Sequence, residues 1–128
     1  MGSSIFFLRI AGLLGALAVC LGAFGAHALK ARLPADLLEI FEVGVRYHFY
    51  HTLALLAVAA GAGGLWSSRW APLACWAWLI GILIFSGSLY LLAFSGLRWL
   101  GAITPIGGVA FILGWIFLII AASSKANG

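Results

Sequence analysis

Long apolar stretches, separated by short polar or glycine-rich connections, organise the chain. The first stretch covers residues 5–28 and is interrupted only by Arg9 and His27. Three more follow at about 43–62, 73–95 and 105–122. Each is close to the roughly 20 apolar residues that a helix needs to cross the hydrocarbon core of a bilayer. The pattern predicts an all-α, polytopic membrane protein, with residues 1–128 forming one domain built as a four-transmembrane-helix bundle.

The segment between the first two apolar stretches is the most polar part of the chain. Pro34 suits the first turn of a new helix. Four charged side chains then recur at steps of three and four residues, and they are Asp36, Glu39, Glu42 and Arg46. Such steps place them on one helical stripe, and apolar residues fill the positions between them. This alternation predicts a short amphipathic helix at the membrane interface that runs directly into the second span.

Composition supports the membrane class and excludes most soluble ones. Of the 128 residues, 65% are hydrophobic and 8% are charged, which is too few charges to cover a globular surface in water. The two cysteines cannot staple a small domain. The net charge is +4, but the basic residues are scattered, so no nucleic-acid-binding surface is predicted. The expected surroundings are the lipid bilayer, with both termini on one side because the number of spans is even.

Glycine recurs along the predicted spans at helical spacing. Helices in lipid have little hydrophobic drive to associate, so close backbone approach through small residues supplies their packing contacts. Six glycines are expected to make such contacts, and they are Gly15, Gly22, Gly25, Gly81, Gly107 and Gly114. A glycine-rich nucleotide-binding loop is not predicted, since no strand precedes any of these glycines.

Uncharged polar residues of the spans concentrate in one leaflet. Consecutive spans run in opposite directions, so the ends of the first and third lie beside the beginnings of the second and fourth. Eight side chains are thereby brought to one level, and they are His27, Tyr47, His48, His51, Ser86, Ser88, Tyr90 and Thr104. Polar groups inside a membrane are costly unless they find partners. We interpret the cluster as a hydrogen-bond network that fixes helix register; the alternative is a small pocket for a quinone or lipid headgroup, a haem or a metal.

His51 is the residue of the cluster from which most can be deduced. It lies one turn from Tyr47, on the small-residue face of the second span, so we expect it to point into the bundle as a neutral ring. Its expected hydrogen-bond partners are the hydroxyl groups of Ser86, Ser88, Tyr90 or Thr104. A ligand pocket, in contrast, would require His27 and His51 to face each other.

Neither a metal site, a cofactor nor a catalytic set is predicted. His48 and His51 lie about 60° apart around a helix and would need a further ligand, such as His27 or Glu42, to hold a metal ion. The chain has no Cys-x-x-Cys or His-Glu-x-x-His motif and no Ser-His-Asp set at credible spacing. The expected role is therefore non-enzymatic: a small accessory or scaffold subunit that packs against a larger membrane complex or against itself.

Four motifs in fixed order resemble one known family. They are Gly22-Ala23-Phe24-Gly25-Ala26-His27-Ala28-Leu29, then Tyr47 with His51-Thr52-Leu53-Ala54, then Phe85-Ser86-Gly87-Ser88-Leu89-Tyr90, then Thr104-Pro105-Ile106-Gly107-Gly108 with Gly114-Trp115. Over nearly its whole length the chain resembles the domain-of-unknown-function 423 family of small membrane proteins. The resemblance implies a bacterial inner-membrane protein with both termini in the cytoplasm, and it implies no particular reaction.

Overall fold

Helices account for nearly all of residues 2–127, the part of the chain that the computed structural model describes. They are α1 (Gly2–His27), α2 (Ala35–Ala59), α3 (Trp70–Gly81), α4 (Gly87–Ser95) and α5 (Thr104–Ala126). A π-helical segment, Ile82–Ser86, joins α3 to α4 without a break. Short 3-10 turns occupy Leu29–Ala31, Ala62–Ser67 and Arg98–Ala102. Residues 2–127 contain no strand, which agrees with the predicted all-α class.

Three helical stretches within these residues are long and apolar enough to cross a membrane. They are Gly2–Ala31, Trp70–Ser95 and Arg98–Ala126, and they contain most or all of the predicted first, third and fourth spans. α2 is of similar length but more polar. Its first half carries three acids and Arg46, and its middle carries two histidines and two tyrosines. Its length suits a spanning helix, whereas its composition sets it apart from the other three.

The amphipathic segment expected before the second span is the first part of α2. α2 runs without interruption from Ala35, so Asp36 to Arg46 form its first three turns. The helix continues because nothing in residues 35–59 breaks it: the segment has no proline and a single glycine, Gly44. The break lies earlier, at Pro34, whose extended backbone precedes the first turn of α2.

Contacts between the loops and the chain ends define one end of the bundle, which we call the terminal end. The ring of Phe7, near the start of α1, lies 6.0 Å from the ring of Trp66 in the loop after α2. Lys125, near the end of α5, donates to the carbonyl oxygen of Gly63 in the same loop. The beginning of α1 and the end of α5 therefore lie at the same end of the molecule.

The opposite end, which we call the connector end, is closed by an exposed ion pair. Arg98, in the turn after α4, pairs with Asp36 in the first turn of α2. The hydrogen bond from the Arg98 guanidinium holds the pKa of Asp36 below its usual value. Because both side chains are more than half exposed, the pair orients the turn and adds little to stability.

Apolar side chains fill the interior and also cover the outside. The main core joins α1, α2, α3 and α5 around large side chains such as Phe7, Leu55 and Trp78. Outward-facing residues such as Leu13 and Ile119 are more than 60% exposed. A surface this rich in large apolar groups suits contact with lipid chains rather than with water.

The glycines expected to pack fall into two groups. Four leave no room for a methyl group, and they are Gly25 against Phe41, Gly81 against Phe111, Gly107 against Phe85 and Gly114 against Trp78. The other two face α2 at ordinary distances, since an added Cβ would lie 3.8 Å from Thr52 at Gly15 and 3.5 Å from Val45 at Gly22. The closest helix approaches therefore bring α5 against the path from α3 to α4.

Gly107→Ala is expected to destabilise the bundle by about 1–3 kcal/mol. The added methyl would meet the backbone of Phe85, which cannot rotate away as a side chain can. Gly108→Ala is the matched control, because its Cβ would lie 3.9 Å from the Phe85 side chain and the gain in helix propensity is the same. The measurement is the free energy of unfolding in mixed detergent micelles. Equal stabilities of the two variants would contradict the close approach of α5.

Candidate functional site

His51 is held from three sides near the middle of α2. It is 5% exposed, and its ring stacks on Phe111 of α5 with the centroids 3.6 Å apart and the planes at 9°. Its Nδ1 lies 2.7 Å from the carbonyl oxygen of Tyr47, and the indole N–H of Trp115 donates to its Nε2 at 3.1 Å. A carbonyl can only accept and an indole N–H can only donate. The two bonds together require a neutral ring that carries its proton on Nδ1.

The partners of His51 differ from those expected. None of the four hydroxyl groups predicted as partners bonds to it; each bonds elsewhere. The reason is local geometry: one ring nitrogen reaches back to the carbonyl four residues earlier in the same helix, and the other then points at α5. Trp115 was missed as a partner, although a signal was present. Tryptophan favours the membrane interface, so an indole in the middle of a span indicates a polar N–H that needs an acceptor.

His48 forms a second contact from α2, to a different neighbouring helix. It is 1% exposed, and its Nδ1 lies 2.9 Å from the hydroxyl oxygen of Tyr90 on α4. Its backbone carbonyl accepts a hydrogen bond from Thr52 at 2.7 Å. Two buried nitrogen atoms, His48 Nε2 and Trp78 Nε1, have no hydrogen-bond partner within residues 2–127. Both ring nitrogens of His51 are therefore hydrogen-bonded, whereas only one ring nitrogen of His48 is.

Two serines connect three helices: Ser86 is the last residue of the π-helical segment, and Ser88 lies in the first turn of α4. Ser86 is fully buried and donates to the carbonyl oxygen of Gly44 in α2 at 2.7 Å. The hydroxyl oxygens of Ser88 and Thr104 lie 2.6 Å apart, and Ser88 also donates to the carbonyl of Phe85. Positions two residues apart point to different sides of a helix, so Ser86 reaches α2 while Ser88 reaches the start of α5.

His27 does not join the other polar side chains. It is the exposed last residue of α1, and α1 and α2 run in opposite directions. Gly15 lies level with Thr52, so His27 is about 11 residues, or roughly 17 Å, further along the bundle than His51. The two histidines therefore do not face each other, and the pocket that such an arrangement would form is not present in this part of the structure.

An aromatic recess lies beside His51 on the outer surface, between α2 and α5. Its cavity volume is about 590 Å³. Rings line most of it, and they are those of Tyr47, Tyr50, His51, Phe85, Phe111 and Trp115. The Tyr47 and Tyr50 side chains are 41% and 55% exposed. Within residues 2–127, no group of three or more His, Cys, Asp or Glu side chains is placed to hold a metal ion.

Comparison with known proteins gives a consistent set of relatives. A family model described as "Protein of unknown function (DUF423)" matches residues 21–108. The UPF0382 membrane protein YwdK of Bacillus subtilis is 46% identical over 91% of this chain and 94% of its own length. A UPF0382 membrane protein of Haemophilus influenzae is 47% identical over 88% of this chain and 89% of its own. The UPF0382 inner membrane protein YgdD of Escherichia coli is 39% identical over 94% and 91%. No solved structure matches the chain.

The contact between His51 and Trp115 is expected to be measurable as an energetic coupling. His51→Leu leaves the indole N–H without an acceptor, which should lower the free energy of unfolding by about 1–3 kcal/mol. Trp115→Phe leaves Nε2 without a donor. In the double variant both polar atoms are gone, so its loss should be about 1 kcal/mol smaller than the sum of the single losses.

The free energies would again come from unfolding in mixed micelles. His51→Gln keeps a donor and an acceptor, and it should lose less than His51→Leu. His27→Leu is the control, because His27 is exposed and makes no hydrogen bond within the described residues. Additive losses for the His51 and Trp115 variants would argue against the bond between them.

Proposed function

The chain belongs to the DUF423 family, and from that premise we propose that it is a four-span protein of the bacterial inner membrane with a non-catalytic role. In this proposal it serves as a small accessory or scaffold subunit that packs against other membrane-embedded chains. The relatives' names support the membrane location, and one of them is named an inner membrane protein. The finer parts of the proposal rest on the geometry of α2.

Internal hydrogen bonding supports α2 as the second of the four proposed spans. Polar side chains keep a helix out of lipid unless they find partners, and His51, His48 and Thr52 find theirs inside the bundle. The 25 residues of α2 rise about 37 Å, more than the roughly 30 Å of a hydrocarbon core. The helix is also sandwiched between α1 on one side and the α3–α4 path on the other. The polar residues of α2 are thus compatible with a spanning helix, because they bond inside the bundle instead of facing lipid.

The proposed orientation places the terminal end in the cytoplasm. Its support is the family resemblance, because charge does not decide between the two sides. Arg9, Arg69 and Lys125 lie towards the terminal end, and Lys30, Arg32 and Arg98 lie towards the connector end. With Arg46 in the connector half of α2, the seven basic residues divide three to four, which gives no positive-inside preference.

The role as a packing subunit rests on one observation: within residues 2–127 the buried polar side chains hydrogen-bond inside the protein, apart from His48 Nε2 and Trp78 Nε1. A site for acid–base or redox chemistry needs polar groups aimed at a cavity that admits a substrate. Here Ser86 and Ser88 join helices, and both ring nitrogens of His51 are already engaged. Two of the charged side chains that form no ion pair within residues 2–127, Glu42 and Arg46, instead face outward from α2. A surface of that kind is suited to contact with another chain.

A second candidate function rests on the recess between α2 and α5. Its aromatic walls and the phenol groups of Tyr47 and Tyr50 suit a flat apolar ring with a polar edge, such as a quinone headgroup. His27 and Tyr90, expected in a ligand pocket, do not line it. The candidate site is thereby reduced to Tyr47, His51 and the rings around them.

Native mass spectrometry of the protein ejected from its own membranes tests both functions in one experiment. The packing role predicts particles heavier than a single 13.5 kDa chain. The ligand role predicts a single chain that retains a small molecule, and Tyr50→Phe, which removes one exposed hydroxyl, should reduce the retained fraction. A single bare chain in every preparation would contradict the packing role and the ligand role alike.

A further inference from the structure

The aromatic recess between α2 and α5 lies at the middle of both helices. Tyr47 is the central residue of α2, Trp115 is the central residue of α5, and both line the recess. Tyr50, also in the lining, is three residues, or about 5 Å, further along α2. In the proposed four-span topology this level is close to the bilayer midplane, about 15 Å from either interface.

Two phenol hydroxyl groups at this level form no hydrogen bond within residues 2–127, and they belong to Tyr47 and Tyr50. Tyr90, the third tyrosine of the chain, bonds to His48. Tyrosine favours the membrane interface, where water satisfies its hydroxyl group. Lipid chains at the midplane offer no such partner, and a polar group in hydrocarbon is costly without one. The two hydroxyl groups are therefore placed to donate to a ligand.

The recess has the size of a small-molecule site. Its volume of about 590 Å³ falls within the roughly 300–1,000 Å³ that is usual for ligand pockets. Phe85 of the π-helical segment and Phe111 of α5 contribute rings whose centroids are 5.2 Å apart. Gly108 adds no side chain to the lining, and a Cβ there would lie 3.9 Å from the Phe85 ring, in ordinary contact. Gly108 thus keeps space open in the recess without being needed for close packing.

His51 offers a ligand a fixed ring but no free hydrogen-bonding atom. Its Nδ1–H donates to the carbonyl of Tyr47, and its Nε2 accepts from Trp115. The ring stacks on Phe111 with the centroids 3.6 Å apart. None of the residues between 2 and 127 that line the recess is Asp, Glu, Lys or Arg. The recess therefore presents apolar ring surfaces and two hydroxyl donors, which together suit a neutral planar ligand with an acceptor oxygen.

We propose that the recess binds a quinone dissolved in the membrane, and that Tyr47 and Tyr50 donate hydrogen bonds to its ring carbonyls. The inference rests on the second candidate function and assigns the donors and the residue that sets the size of the site, Gly108. A carbonyl oxygen can only accept, so it matches two hydroxyl donors. A hydrocarbon chain in the recess would leave both hydroxyl groups without an acceptor, and a lipid phosphate would bring a charge that the lining does not pair.

Isotope-edited infrared spectroscopy tests the hydrogen bonds. Decylubiquinone with ¹³C-labelled ring carbonyls is added to the protein in phosphatidylcholine vesicles. A carbonyl that accepts a hydrogen bond absorbs at lower frequency than the same carbonyl in lipid, so the unchanged protein should show a shifted band. Y47F and Y50F should each weaken binding about fivefold, which is the effect of losing one hydrogen bond. In the double variant the shift should vanish. Y90F, the same change at a tyrosine outside the recess, should keep it.

A side chain added at Gly108 gives a second, steric test. G108V should lower the affinity for decylubiquinone about tenfold or more, because the branched side chain takes up part of the recess. G12V is the matched control, since an outward-facing Cβ at Gly12 meets no other group within 4 Å. It should bind like the unchanged protein. Should G108V fail to fold, I112W makes the same test by enlarging a lining residue that is already 60% exposed.

The outcomes separate the quinone from the broader ligand role. A shifted carbonyl band that persists in the double tyrosine variant, or equal affinities of G108V and G12V, would overturn the proposed site. If particles from native membranes retain a small molecule other than a quinone, and the reconstituted protein does not bind decylubiquinone, the ligand role stands and the quinone is wrong. If the protein neither retains a small molecule nor binds decylubiquinone, both are wrong.

Discussion

Buried polar side chains have to find hydrogen-bond partners within the protein, and this constraint shapes the whole bundle around α2. His51 satisfies it with its own helix on one side and with Trp115 of α5 on the other. His48 turns to Tyr90 of α4, and Ser86 donates to the backbone of Gly44. The bonds to Trp115, Tyr90 and Ser86 join α2 to neighbours at different positions along its length. Sliding α2 by one turn would break all three, so satisfying the polar groups also sets the register of the helices.

Close packing makes these bonds possible. The π-helical segment contacts α2 through Ser86 and α5 through Phe85, which lies against Gly107. π-helical turns are found where a helix has to re-aim its side chains. Here the segment stands at the junction of three helices, and glycine on the facing helix removes the side chain that would hold them apart. The hydrogen bonds and the glycine contacts are thus two parts of one arrangement.

The sequence predicts where a residue lies along the length of the bundle better than which side of its helix the side chain faces. Apolar length locates α1, the α3–α4 path and α5 to within a few residues, because bilayer thickness sets that length. Which face of a helix a side chain occupies depends on how large rings pack, and a hydropathy pattern does not contain this information. Packing of this kind decides three features that the sequence does not predict: the partner of His51, the exposed position of His27 and the π-helical segment. The unbroken course of α2 is different: no helix breaker follows Pro34, so the sequence predicts that the amphipathic segment runs directly into the second span.

The proposed topology requires above all that α2 crosses the membrane. Cysteine accessibility in intact cells tests this directly, in a chain with Cys20 and Cys75 replaced by alanine. R32C lies in the connection before α2 and S67C lies in the loop after it, and both positions are exposed. A membrane-impermeant thiol reagent is expected to label R32C from outside the cell and S67C only after the membrane is permeabilised. Labelling of both positions from the same side would show that α2 does not span the membrane, and it would contradict the four-span topology.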